Sequence, residues 1–254
     1  MRIIARLDIK APNLVKGICF EGLKKLGSPF SFAEDYYNQG IDEILYTDIV
    51  ASLYERNGIH DLVTKTVEKV FVPITVGGGL RTIDDVNMML RAGADKVSIN
   101  TQAIKNISFL KDLSKIYGSQ CITLSVQAKR LNNGTWEAFY DNGREKSGVN
   151  ILDYILEAQE NNIGEIILTS IDKDGTLKGL DIDMIESVAG VAKVPLVCGG
   201  GFNDLSELKL LNNLNVSGIC IGSALHYKKF TITEIRKYCN KNGIKIRKIK
   251  TNEN

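Results

Sequence analysis

The feature that most constrains this chain is a long-period repeat. "VPITVGGGL" at 72–80 returns as "VPLVCGGGF" at 194–202, and "DEILYTDI" at 42–49 returns as "GEIILTSI" at 164–171. Both returns come 122 residues later, from 72 to 194 and from 42 to 164. "ADKVSINT" at 94–101 pairs more loosely with "VSGICIGS" at 216–223. A unit used twice must fold in similar ways in both halves. Its repeated pieces are short runs rich in Val, Ile and Leu that end in glycine or a small polar residue. The strand candidates are 2–8, 43–48, 73–76, 95–99, 121–126, 165–170, 195–198 and 218–221. Most are apolar on both faces, as strands covered on both sides by helices should be. Amphipathic stretches separate them. In "TIDDVNMMLRAG", 82–93, Thr82 is placed to cap a helix with Asp85 three residues on, and Gly93 stands at its end. Eight strand–helix units in 254 residues predict an α/β chain folded as a (β/α)8 barrel. The expectation is one domain over 1–254, with half-barrels at about 1–120 and 121–240 and a basic tail at 241–254. The rival is a doubly wound open sheet.

Composition narrows the chemistry. A net charge of +2 gives no strong field for nucleic acid or an anionic membrane. The tail "KIRKIK", 245–250, reads as a solvated terminus. The apolar runs are strand-sized, well short of the ~18 residues of a membrane span. With no signal-peptide pattern at the start, a cytoplasmic protein is expected. Five scattered cysteines form no C-x-x-C, and the two histidines, His60 and His226, lie far apart. Neither a disulfide framework nor a metal site is expected, and no cofactor. His226 reads as a packing residue. "NNGTWEAFYDNG", around Trp136, reads as a β-hairpin after the fifth strand.

In such barrels the chemistry sits where strands end and βα loops begin. "GGG" at 77–79 and at 199–201 ends the third and seventh strands. Glycines there let backbone N–H groups approach an anion. Asn100–Thr101 ends the fourth strand and Gly222–Ser223 the eighth, with side chains able to donate to phosphate oxygens. Either triplet alone could be a tight turn. Placed symmetrically, the pair predicts two anion sites across one mouth, and a long ligand with a phosphate at each end. The first and fifth strands differ in a telling way. "RIIARLDIK", 2–10, carries Asp8 where "CITLSVQAKR", 121–130, carries Gln127. A carboxylate can take and return a proton; an amide cannot.

Several stretches together carry a resemblance: "RIIARLDIK", "VKG" (15–17), "GIDEILYTDI" (40–49), "PITVGGGLR" (73–81), "GADKVSINT" (93–101), "YGSQ" (117–120), "GEIILTSIDKDGT" (164–176) and "GGGF" (199–202). Over nearly its whole length the chain resembles the cyclase subunits of imidazole glycerol phosphate synthase. The resemblance implies a (β/α)8 barrel partnered by a glutaminase subunit. Ammonia would cross the barrel to a small phosphorylated substrate, a bisphosphorylated ribulosyl-formimino aminoimidazole carboxamide nucleotide. It implies Asp8 as a catalytic aspartate and Lys16 as a mobile lysine in the loop after the first strand. Gly79, Asn100 and Thr101 match one phosphate site; Asp174, Gly175, Gly200, Gly201, Gly222 and Ser223 match or flank the other. At the opposite mouth Arg2, Glu43, Lys96 and Glu165 match a charged ring that gates ammonia, the alternative being a buried salt-bridge plug. Asp95 matches a contact to the glutaminase.

The departures from the family pattern are specific. The second catalytic aspartate of the family falls at Gln127. Arg6, by strand alternation, points into the mouth where the family carries a small Cys. "APNLVKG", 11–17, replaces a "DGRVVKG"-like loop, and Gly199 stands where the family often has Ser. These departures predict a diverged paralogue that passes ammonia to another acceptor, in amidine (acetamidino) modification of bacterial surface sugars, with a third, sugar-activating amidotransferase as a further partner. The alternatives are a working cyclase subunit of histidine biosynthesis, and a non-catalytic activator of the glutaminase.

Overall fold

The computed structural model describes residues 1–51 and 59–248, so the last two residues of "KIRKIK" and the rest of the tail lie outside the described residues. Eight parallel strands close on themselves: β1 (Arg2–Lys10), β4 (Glu43–Asp48), β5 (Ile74–Gly77), β6 (Lys96–Ile99), β7 (Ile122–Arg130), β10 (Glu165–Ser170), β11 (Leu196–Gly199) and β12 (Gly218–Ile221). Each pairs with its neighbour in that order. The ring is sealed by β12 against β1 and by β7 against β10. All eight predicted strands are present, and the open-sheet rival is excluded by that closure.

Helices cover the outside. Those among the described residues include α1 (Pro29–Asn38), α2 (His60–Val67), α3 (Ile83–Arg91), α4 (Thr101–Lys105), α5 (Ser108–Tyr117), α6 (Ile151–Glu160), α7 (Ile182–Ala189), α8 (Glu207–Asn213), α9 (Ser223–His226) and α10 (Ile232–Lys241). None is long and apolar enough to cross a membrane. The helix expected over 82–93 is α3, and Thr82 and Asp85 form a reciprocal capping box that satisfies two otherwise orphaned N–H groups.

Strand alternation sorts the residues into two compartments. Ile3, Ala5, Leu7 and Ile9 of β1, Ile44 and Tyr46 of β4, and Ile166 and Leu168 of β10 join the helices in the main core. The other set points inward and is layered. At the N-terminal mouth lie Arg2, Glu43, Lys96 and Glu165 in one charged cluster. Above them Ile4, Leu45, Ile167, Val197 and Cys220 make a small apolar plug. Above that lie Arg6, Asp8, Gln127 and Thr169, polar and buried.

Two extensions were not legible as such. After β1 the chain turns back as β2 (Asn13–Ile18), antiparallel to β1, and again as β3 (Glu21–Gly27), antiparallel to β2. After β7 it does the same with β8 (Trp136–Tyr140) and β9 (Glu145–Asn150). The segment read as a hairpin around Trp136 is therefore one strand between two turns. β7 runs on to Arg130 as its partner, and Asp141, Asn142 and Gly143 take positive φ at the second turn. Trp136 is buried and donates from Nε1 to Asp181 Oδ2 at 3.1 Å.

Candidate active site

At the C-terminal mouth the buried side chains form a chain of alternating charge. Arg6 Nε donates to Asp8 Oδ1 at 2.8 Å, and Lys16 Nζ reaches both Asp8 Oδ2 at 2.8 Å and Asp174 Oδ2 at 2.7 Å. Arg6 Nη1 also donates to Thr169 Oγ1 at 3.1 Å. β1 supplies Arg6 and Asp8, two residues apart and hence on the same face. β2 supplies Lys16, and the loop after β10 supplies Asp174. Burial penalises the Asp8 carboxylate, but Arg6 and then Lys16 outweigh it and hold the group well below the usual carboxylate range. Burial likewise opposes the charge on Lys16, and Asp174 and Asp8 reverse that and raise it above its ordinary value. Lys16 was expected in a mobile loop. It lies instead in a strand, buried and held by two carboxylates.

Two cavities open on either side of this chain. The larger, about 820 Å³ including its open mouth, is lined by Gly77, Gly78 and Gly79, by Asn100 and Thr101, by Arg81 and Lys105, and by Gln127. The smaller, about 320 Å³ on the same measure, is lined by Asp174, Gly175, Gly200, Gly201, Gly222 and Ser223. The two sets of residues expected to hold anions are thus gathered into two separate cavities. Arg6 lines both; Asp8 lines neither.

The glycines are dictated by close approach. A Cβ on Gly78, at φ +94°, would stand 2.0 Å from Asp48 O, and one on Gly175, at φ +76°, would stand 2.1 Å from Gly17 O. Gly199 is not a simple loss of a serine hydroxyl. A Cβ there would meet Cys220 O at 2.8 Å, so this backbone leaves no room for one.

The side chains behave less uniformly. Ser223 Oγ is buried with no hydrogen-bond partner in the protein, as a ligand-binding hydroxyl would be. Asn100 differs from expectation. Its amide donates to Ser125 O at 3.0 Å and to Phe139 O at 3.1 Å, so its N–H groups fasten β7 and β8 to the start of α4 and are not free for phosphate. The Thr101 hydroxyl lies 3.2 Å from Asp141 Oδ1. The larger cavity therefore offers an anion mainly backbone N–H groups and the side chains of Lys105 and Arg81, and an Asn100 amide already engaged. Gln127 is buried and its Oε1 has no partner.

At the opposite mouth Arg2 pairs with Glu43 at 2.6 Å and with Glu165, while Lys96 pairs with Glu43 at 3.1 Å and with Glu165 at 2.8 Å. Each cation touches both carboxylates, so the four side chains make a closed ring of zero net charge. Asp95 is exposed close by and accepts from Ile74 N at 2.8 Å, which caps the start of β5.

His226 is buried in α9, with Nδ1 2.7 Å from the Tyr36 hydroxyl and its ring stacked on Tyr36. Burial and then the Lys16 cation pull its pKa down to about 4. It packs beneath the mouth and lines neither cavity.

Comparison with known proteins adds the following. The family described as histidine biosynthesis protein matches residues 2–231. A Legionella pneumophila protein is 49% identical over 207 residues, covering 82% of this chain and 98% of its own length. A Clostridium beijerinckii protein is 41% identical over 249 residues, and one from Streptococcus sanguinis is 40% identical over 247 residues. Each of these two covers 97% of this chain and 98% of its own length. All three relatives carry the name imidazole glycerol phosphate synthase subunit HisF.

Proposed function

From the premise that the chain belongs to the histidine biosynthesis protein family, we propose that it is the cyclase-type subunit of an imidazole glycerol phosphate synthase. In this reading a glutaminase subunit docks at the N-terminal mouth, near Asp95. Ammonia passes the ring of Arg2, Glu43, Lys96 and Glu165, which must open, and reaches a phosphorylated acceptor at the other mouth. Asp8 exchanges protons with the reacting atoms there, and Lys16 neutralises charge beside it. The anion cavities hold the phosphates. The observation that carries the reading is the pairing, within one barrel, of a closed neutral ring at one end with Asp8 and Lys16 between two glycine-built cavities at the other. The names of the full-length relatives support the histidine-pathway reaction, and none of them speaks for sugar amidation.

The test is turnover of the bisphosphorylated nucleotide by the purified chain with ammonium salt. Product should form with ammonium alone, and with glutamine only when a glutaminase subunit is added. Gln127 and Arg6 favour a second reading, in which the same ammonia route serves a different acceptor. Gln127 cannot supply the second acid–base group, whose loss costs about 10²–10⁴-fold in rate. Arg6 holds Asp8 in its charged form. On this reading the nucleotide would not turn over, and a protein carrying both Arg6→Cys and Gln127→Asp would gain activity.

A further inference from the structure

Arg6 is the one residue common to the two cavity linings among the described residues. It is buried, and it is fixed on three sides. Asp8 holds Nε, Thr169 holds Nη1, and the Phe20 ring lies over the guanidinium with its centroid 5.3 Å from Cζ. Phe20 is itself clamped in the turn between β2 and β3. It packs on Phe139 and Ile171, and a Cβ on Gly143 would stand 2.5 Å from its Cδ2. The guanidinium is thus a planar partition, standing between the cavities and locked from above. A ligand with a phosphate in each cavity would have to pass its middle through the place Arg6 fills. Releasing Arg6 means breaking two buried hydrogen bonds, one of them to a carboxylate, which is costly.

The larger cavity also carries an unspent polar group. Gln127 Oε1 is buried, has no partner, and its residue lines this cavity together with Lys105, Arg81 and the glycine turn. A buried acceptor left bare costs stability unless a ligand supplies the donor.

We propose that Arg6 sets the length of the acceptor: it confines the ligand to one cavity, so the acceptor is a singly phosphorylated, hydroxyl- or amine-bearing molecule seated in the larger cavity, with one of its donors on Gln127. The inference rests on the second reading above, an ammonia-using barrel with a changed acceptor, and gives that acceptor a chemical class. Arg6 acts by denying passage between the cavities, its Nε and Nη1 being spent on Asp8 and Thr169 and not on a phosphate.

Binding to the whole chain, measured by calorimetry without any turnover, tests this. The first probes are alkanediol bisphosphates of increasing length against the monophosphates of the same chains. Linking two phosphates that reach both cavities at once raises affinity by roughly 10²–10⁴-fold. The native protein should show no such gain, each bisphosphate binding within about threefold of its monophosphate. Arg6→Ala should restore a gain of at least about tenfold at one length, with monophosphate affinity within about threefold of native. If Arg6→Ala does not fold, Arg6→Gln, which keeps a polar side chain but is shorter, takes its place. A gain of tenfold or more in the native protein, on the order of 1.4 kcal/mol, overturns the proposal without any variant. So does an Arg6 variant that weakens both probes alike, which would make Arg6 an ordinary anion ligand. The second probes are ribose 5-phosphate and butyl phosphate. Native protein should prefer the sugar phosphate, and Gln127→Leu should abolish the preference and leave butyl phosphate unchanged. A preference that survives Gln127→Leu removes Gln127 from the proposal. Absence of ammonia-dependent turnover would count against the proposed function and leave these binding ratios as they are.

Discussion

Replacing Lys96 by Met tests the ring at the N-terminal mouth, and its effect can be worked from distances. Lys96 Nζ lies 3.1 Å from Glu43 and 2.8 Å from Glu165. At an effective dielectric of about 20, each contact carries roughly 5–6 kcal/mol of raw attraction. Desolvation of the three charges cancels much of this. Removing one partner of a fully buried pair costs about 3–5 kcal/mol. Here Arg2 remains on both carboxylates and Lys96 keeps some exposure, 14% of its side chain, which lowers the figure. A loss of roughly 2–4 kcal/mol is expected, a fall of about 5–15 °C in Tm for a chain of this size. Because the carboxylates are almost fully buried, added salt should change the fall little. Adding Glu165→Gln to Lys96→Met should cost less than the sum of the two single changes by at least about 1 kcal/mol, because the second change removes the charge left short of a partner. Thermal unfolding followed by circular dichroism reads all of this. A fall under about 1 °C, or full additivity of the pair, would refute the reasoning, since it would mean the four side chains do not act as one closed ring.

The remaining predictions concern the other mouth. Asp8→Asn should lower ammonia-dependent turnover by about 10²–10⁴-fold, with folding checked by the same melting curve. His226 is held neutral, its pKa depressed to about 4 from an ordinary 6.5, so the unfolded chain binds the extra proton between those values. Stability from this group is complete above pH 6.5 and declines by about 2–3 kcal/mol as pH falls toward 4; urea unfolding at the two ends of the window should show a difference that His226→Phe removes. Gly175→Ala would push a methyl into Gly17 O, so the hairpin of β2 and β3 should lift while the barrel stays closed. Amide exchange should quicken at Cys19 N–H, which donates to Asp174 O at 2.8 Å, and stay slow in β5 and β6.

The fold was legible because a buried parallel sheet leaves short runs that are apolar on both faces, and the repeat supplied their order. Charged residues sit mainly at the ends of those runs, as in "EILYTD" (43–48) and "EIILTS" (165–170). The extensions after β1 and β7 were harder to read. "NLVKGI" (13–18) buries a lysine in its middle, "EGLKKLG" (21–27) is largely exposed and charged, and their pairing is set by the Cys19–Phe20 turn, where two non-glycine residues take positive φ. The carboxylate, lysine and glycines of the site were readable as residue types at strand ends. What Asn100 and Lys16 touch was not. Asn100 spends one donor on β7 and the other on β8, a strand that the repeat does not contain, and Lys16 is fixed by an aspartate 158 residues away.

The two halves of the barrel share backbone more closely than chemistry, and the physics of each kind of site explains why. A turn that presents backbone N–H groups at a strand end needs only glycines at the right φ, and Gly78 with Gly200, both near +93°, keep that turn in both halves. Side-chain chemistry has no such protection. Asp8 in the first half answers to Gln127 in the second, a carboxylate against an amide, and Arg6 answers to Ser125, a cation against a hydroxyl, on strands that keep their places in the barrel. The differences fall on neighbours: Asp8 has two cationic partners, Arg6 and Lys16, and Gln127 is left with an unsatisfied oxygen. A buried bare acceptor and a guanidinium that closes the middle of the mouth make sense together only if a ligand meets both. Combining Arg6→Cys with Gln127→Leu would show this directly: the double variant should bind a bisphosphate of bridging length at least about tenfold more tightly than its monophosphate, and should no longer prefer ribose 5-phosphate over butyl phosphate. A double variant that shows neither change would separate the two residues from any shared ligand.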